Sequence, residues 1–179
     1  AKDIAGEQAF GTERDVYEPG YEYLVHSTTP LDPPEEAPRV LVGGPDCAKP
    51  YPMALLNVSA MSFGALSANA IRALNKGAEL GGFAHDTGEG GLSPYHQENG
   101  GDLVWEIGSG YFGARTTDGG FDEGKFRDKA ADDQVRCVSL KLSQGAKPGI
   151  GGGRPGAKAT REIAEARDGR GGVKGGAPR

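Results

Sequence analysis

The sequence is short of apolar residues, of charge of one sign, of cysteine and of long hydrophobic runs, and each shortage removes a class of protein. Of 179 residues, 36% are hydrophobic and 31 are glycine, so folding must order much backbone freedom around limited apolar surface. A loop-heavy domain, or part of one, fits that balance. The net charge of −5, with both signs interspersed, leaves no basic stripe to follow a phosphate backbone, which argues against nucleic-acid binding. Cys47 and Cys137 stand too far apart for the paired clusters of a zinc site or a disulfide framework, so both are read as reduced thiols. The longest apolar runs, such as MALLNVSAM (53–61), fall well short of a membrane span, and AKDIAGEQAF lacks the apolar core of a signal peptide. The expectation is a soluble, cytoplasmic chain with no membrane span and no internal repeat.

What is present is an alternation of strands and helices. Residues 1–52 carry scattered aromatics and a proline cluster from Pro30 to Pro38 without a period, and read as an extended N-terminal arm. LLNVSAM (55–61) is nearly all apolar and predicts a strand buried on both faces. SANAIRALNKGAELGG (67–82) predicts an amphipathic helix with Ile71, Leu74 and Ala78 on one face, Ser67 as N-cap and Gly81 and Gly82 as the stop. GFAH (82–85), DLVWEIG (102–108, anchored by Val104 and Ile107) and QVRCVSLKLSQ (134–144) predict further strands. FDEGKFRDKAA (121–131) and ATREIAEAR (159–167, capped by Thr160) predict helices. The tail from residue 169, GRGGVKGGAPR after the preceding Asp168, is low in complexity and is read as disordered. This order predicts an α/β fold with parallel strands, whose chemistry collects in the loops after the strand ends. Those loops are 61–67, 86–101 and 143–153.

Each loop admits more than one reading. In FAHDTGEGGLSPYHQENGGD (83–102), His85 and His96 with Asp86, Glu89 and Glu98 are ligand types without a metal-site spacing, and composition favours a solvated loop over a metal. Gly88, Gly90 and Gly91 would let backbone N–H groups approach an anion, yet the run lacks the P-loop ending and the Rossmann spacing. In KLSQGAKPGIGGG (141–153), Lys141 ends an apolar strand and must reach solvent, a partner or a ligand; with Lys147 it either snorkels to the surface or meets an anion or electron-rich ring. SAMSFGALS (59–67) is ordinary helix capping when taken alone, with Gly64, Ser59 and Ser62 able to accommodate a planar ligand. Taken jointly, the three loops describe a site for a flat, phosphorylated cofactor.

The strings NVSAMSFGALSANAIRALNKGAELGGFAHDTGEGGLSPYH, GGDLVWEIGSGYFGAR and LKLSQGAKPGIGGGRPGAK, in that order, resemble the FMN-binding domain of the glutamate synthase family and its stand-alone relatives. FGTERDVYEPGYEYL and GGPDC resemble the same family's entry segment, so the resemblance spans about Phe10 to Arg167. It implies a (β/α)8 TIM-barrel domain, here its N-terminal portion in residues 53–168. FMN would lie at the C-terminal face, and 2-iminoglutarate, from 2-oxoglutarate and ammonia, would be reduced to L-glutamate. By resemblance, Ala60, Met61 and Ser62 lie beneath the flavin, and Thr87, Gly88 and Glu89 face ring and substrate. Lys141 and Gln144 lie near flavin and substrate, and Lys147 binds a substrate carboxylate. Lys141, Glu89 and Gln144 are the implied catalytic set: an electrostatic clamp, an acid–base candidate and a hydrogen-bond donor. Electrons would come from a ferredoxin or a reductase subunit, since no nicotinamide fingerprint occurs.

Ile150 and Arg154 depart from the family's loop, and the resemblance reads as ending at Gly169. The strands that complete a barrel, and the three cysteines that hold an iron–sulfur cluster in full glutamate synthases, are not recognised in the sequence. No cysteine stands where a glutaminase nucleophile would. The expectation is thus a truncated chain of such an oxidoreductase. The alternatives are a non-catalytic fragment, or the same flavin cradle serving another substrate.

Overall fold

The computed structural model describes residues 15, 17–142 and 160–167. The chain divides into two units, Ala1–Glu35 and Glu36–Arg179. The described part of the first contains neither helix nor strand, and its side chains, Tyr17, Tyr23, Leu24 and Leu31 among them, are exposed.

The second unit begins with an antiparallel hairpin of β1 (Arg39–Val42) and β2 (Tyr51–Ala54), a pairing that no periodicity in the sequence had indicated. It turns through Gly43, at φ 120°, a conformation open to glycine because it has no Cβ. Asn57 then takes the place of a ladder: its side chain donates to Ala54 O and accepts from Ala84 N. Only Val58 of the predicted 55–61 strand pairs, in parallel with His85, and Leu55 and Leu56 are 67% and 74% exposed. The expectation of a strand buried on both faces is corrected there. The apolar run is split by Asn57, whose amide must be satisfied by backbone, and this leaves the leucines outside.

Helix α1 (Ala68–Gly81) follows, with the Ser67 side chain accepting from Ala70 N and Gly82 ending it in the left-handed region at φ 63°. Ile71 and Ala78 are buried on its inner face and Leu74 is half-buried. Between them lies a fully buried Asn75, which exchanges two hydrogen bonds with the Gly101 backbone.

The sheet proper is parallel, in the order β3 (His85–Asp86), β4 (Leu103–Ile107), β5 (Val135–Leu140). A short helix α2 (Pro94–Gln97) stands in the first crossover and α3 (Glu123–Ala130), capped by Asp122, in the second. Parallel neighbours require such crossovers, which is why the alternation in the sequence was informative. Period-two alternation puts Leu103, Trp105 and Ile107 on the helix-covered face, where they join Leu92, Ala114, Phe126, Ala130, Val135 and Val138. Trp105 and Ile107 therefore anchor β4 with Leu103, whereas Val104 lies half-buried on the other face.

Below the sheet, Tyr51 donates to Asp102, and Arg136 reaches the same carboxylate, joining the hairpin to the beginnings of β4 and β5. Burial and the Asp102 contact push the Tyr51 hydroxyl up to about 12. Helix α4 (Arg161–Ala166) is capped by Thr160, as its sequence predicted. No described helix is long and apolar enough to cross a membrane.

Asn75→Ala would leave the buried Gly101 N–H without its partner, while Gly101 O keeps the bond donated by Gln134 Nε2 at 2.7 Å. The expected loss is about 2 kcal/mol of unfolding free energy, read as a shift of the urea midpoint at unchanged slope.

Candidate functional site

Much of the loop 83–102 is enclosed: Ala84, His85, Thr87, Ser93 and His96 are at most 1% exposed. The solvated-loop reading is corrected accordingly. Asp86, Thr87, Ser93 and His96 bond to one another or to the backbone inside the fold, a pattern that composition does not reveal.

His96 shows how. The Ser93 N–H donates to Nδ1, so Nδ1 carries no proton and the Nε2–H donates to Met61 O at 2.9 Å. Both ring nitrogens are engaged. His85, whose ring centroid lies 5.2 Å from that of His96, has no hydrogen-bond partner for either nitrogen among the described residues. Burial, reinforced by His96, holds its imidazole down to about 4.

Gly88 explains itself by contact. At φ 67°, a Cβ there would lie 2.8 Å from the Ser62 nitrogen, so only glycine lets the 86–91 loop rest on the 61–63 turn. Its N–H donates to Asp86 Oδ1 at 2.8 Å. Thr87 continues the ladder to Val104 O, and its hydroxyl accepts the Glu106 N–H and donates to Gly88 O. Met61 N donates to Asp86 O, while Ala60 is exposed beside it. The structure thus brings Ala60, Met61, Ser62, Thr87 and Gly88 together at the strand ends.

Lys141 follows β5 and is held by its own N–H donating to Ile107 O. Its ammonium lies 3.5 Å from Glu106 and 3.9 Å from Glu89. Glu106, with 7% of its side chain exposed, makes this ion pair without a hydrogen bond to its Oε1 among the described residues. Burial raises its carboxyl, and the neighbouring Asp86 raises it further; burial also raises Asp86. Cys137 pairs in register with Val104 on this same face of the sheet, and burial, with Asp86 nearby, pushes its thiol up. Gln144 and Lys147 lie outside the described residues.

Sequence reasoning missed Asp86 and Glu106 as members of this group. The signal was available: a carboxylate inside the apolar strand LVWEI needs a partner, and Lys141 is the cation one strand over. It also missed Arg167, which donates to Phe63 O from Nε and Nη2 at 3.2 and 2.7 Å across 104 positions of sequence. No local pattern announces such a contact.

Parallel strands that carry a lysine, three carboxylates and a glycine-lined turn to one end define an α/β protein with a polar site at the C-terminal edge of its sheet. The chain belongs to the glutamate synthase family: the conserved region in glutamate synthase matches residues 46–179. That match passes Gly169, where the resemblance had read as ending. A glutamate synthase large subunit-like protein, YerD, of Bacillus subtilis (strain 168) is 45% identical over 130 residues, covering 72% of this chain and 25% of the relative. An archaeal-type glutamate synthase (NADPH) of Thermotoga sp. (strain RQ2) is 38% identical over 111 residues, covering 61% and 19%. The large chain of glutamate synthase (NADPH) of Azospirillum brasilense is 35% identical over 113 residues, covering 60% and 7%. The chain spans a quarter or less of the length of these relatives.

Two outcomes follow from the site's packing. Gly88→Ala should cost about 2 kcal/mol in a denaturant titration, because strain in the left-handed region adds to the contact with Ser62. For His85, the unfolded imidazole binds a proton near pH 6.5 and the folded one near 4, so its neutral form is secure above 6.5 and stability falls as pH drops from 6.5 to about 4. The raised carboxyls of Asp86 and Glu106 act in the opposite sense. The His85 share is therefore the difference between wild type and His85→Leu, on the order of 3 kcal/mol at pH 4 relative to pH 7. Parallel stability profiles for the two proteins would refute it.

Proposed function

We propose that this chain supplies the strand-end residues of an FMN-dependent glutamate synthase-like oxidoreductase built on a (β/α)8 barrel. The proposed reaction forms L-glutamate from 2-oxoglutarate and ammonia through 2-iminoglutarate. The observation that carries this reading is Lys141: the cation sits after β5 beside Glu89, next to the Gly88 loop that rests on the Met61–Ser62 turn. Two of the three loops of the family resemblance, 61–67 and 86–101, thereby lie with Lys141, which leads into the third, at one end of one sheet. A flat ring is compatible with the exposed face of this turn, where Ala60 carries only a methyl group.

When bound, FMN would supply the hydride for the imine carbon. Lys141 would oppose negative charge that accumulates at the ring edge or on a substrate carboxylate, with its position fixed by Glu106 and Glu89. Glu89, 32% exposed, can exchange a proton with a ligand and is the acid–base candidate. Gln144 would donate a hydrogen bond and Lys147 hold a carboxylate. A ferredoxin or reductase subunit is the proposed electron donor, and the cytoplasm the proposed compartment.

One observation favours a second reading, in which the same cradle serves a different substrate. Among the described residues, Asp86, Glu89 and Glu106 stand around one lysine, Lys141, an excess of negative charge where a dianionic keto acid would approach.

A visible absorption spectrum is the first test: the purified chain titrated with FMN should bind it near one to one, and a protein that stays colourless would sink the flavin assignment. Lys141→Ala should weaken FMN binding about tenfold or more, whereas Lys76→Ala, whose partner is the exposed Glu79 on α1, should leave it unchanged. Glutamate formation from 2-oxoglutarate, ammonia and reduced ferredoxin tests the substrate. A flavin-loaded sample that yields none would favour the second reading.

A further inference from the structure

We propose that Arg167 is a positioning residue for the cofactor-facing turn, locking Ser62 and Phe63 in place from the C-terminal end of α4. Its guanidinium makes a two-pronged contact with one carbonyl, Nε and Nη2 both donating to Phe63 O, at 3.2 and 2.7 Å. The same Nη2 lies 3.5 Å from Ser62 Oγ. The group also stacks 5.3 Å from the centre of the Phe112 ring. A Cβ added to Gly90 would lie 2.7 Å from Nη2 and 3.0 Å from the Ser62 side chain. Arg167 therefore occupies the junction of the 61–63 turn, the 88–91 loop and the segment after β4, and touches all of them.

The turn is gripped from two sides. His96 donates to Met61 O, Arg167 donates to Phe63 O, and the carbonyl between them, Ser62 O, accepts from Ala65 and Leu66. Three successive carbonyls are thus satisfied by protein donors, which fixes the peptide planes of the turn and hence the direction its remaining edge presents. Two of the three restraints are internal to residues 57–96. The Arg167 restraint comes from 104 positions away and arrives only when α4 docks. Docking has its own fastening: Tyr95 donates to Glu162 on α4, and the Tyr95 ring meets Phe63 edge-on with centroids 4.7 Å apart. Phe63, itself 5% exposed, links that fastening to the carbonyl that Arg167 holds.

A fork is the reason for arginine. A lysine could reach one acceptor with a mobile ammonium, whereas a planar guanidinium fixes direction as well as distance. Arg167 need not touch a ligand: it sets the shape of what would.

This proposal rests on the flavin reading above, and the experiment separates their failures. FMN is titrated into wild type, Arg167→Ala, Arg167→Lys and the control Arg161→Ala, whose side chain on α4 is 91% exposed and pairs with Glu165. Affinity is read from the visible absorption band, and ring environment from visible circular dichroism. Arg167→Ala should raise the FMN dissociation constant about tenfold and alter the dichroism of the flavin still bound, with Arg161→Ala unchanged. Arg167→Lys should recover part of the affinity, and it decides the matter should the alanine variant not fold. Wild-type affinity and dichroism in either Arg167 variant would overturn the proposal. If wild type itself binds no FMN, the flavin reading fails, and amide exchange decides the clamp. Faster exchange at Ala65 and Leu66 in Arg167→Lys, with α1 unaltered, upholds it, and unchanged exchange rejects it.

Discussion

The contact between the Gly88 backbone and the Ser62 peptide is the constraint on which the strand ends depend. A parallel sheet brings its loops to one edge but does not join them, and nothing in ladder geometry tells the 61–63 turn where the 86–91 loop lies. Removing the side chain at position 88 and accepting φ 67° lets the two backbones meet. Once they meet, Asp86 is committed to Gly88 N, Thr87 to Glu106 N, and Met61 to His96. The turn, the loop and the end of β4 become one surface, although they come from three separate stretches of chain.

Charge is the second constraint, and it follows from the first. Thr87 fixes the backbone at Glu106, and this carboxylate is turned to the face where Asp86 also lies. Two carboxylates in a poorly hydrated place raise each other's proton affinity and need a cation. Lys141 is that cation, and it is shared with Glu89. Any anion arriving beside it competes with carboxylates already present, and any positively charged group arriving there is met by an excess of them. Among the described residues, charge at this edge is therefore a balance among four side chains rather than a property of Lys141 alone.

How much of this could be read from the sequence depends on whether the responsible contact is local. Ser67, Gly82, Asp122 and Thr160 act within one turn of their own helices, so the boundaries of α1, α3 and α4 were legible or nearly so. The β4 and β5 positions were legible from apolar alternation and lie within their predicted spans, whereas the apolar run 55–61 was not a strand. The hairpin was not, because β1 is exposed at every position and gives no alternation to detect. The 83–102 run misled for the converse reason. Ser93, His96 and Thr87 look hydrophilic in a list of residues, but each meets its partner inside the fold. Lys141 stood out as a cation ending an apolar strand. The company Lys141 keeps depends on strand order and register, which no single segment encodes.

The same distinction explains why α4 matters more than its six residues suggest. Its cap is local and its helix short, so its own sequence supplies little stability. What holds it are side chains that leave the helix: Glu162 to Tyr95, and Arg167 to Phe63. Those contacts fall on either side of one buried ring, Phe63, which lies between the turn beneath the proposed ring site and the loop that carries Tyr95. A small displacement of α4 would be transmitted through a packed aromatic ring to a backbone carbonyl rather than lost in solvent. The strand ends set which groups are present, and a helix more than a hundred residues after the turn sets how firmly that turn is held.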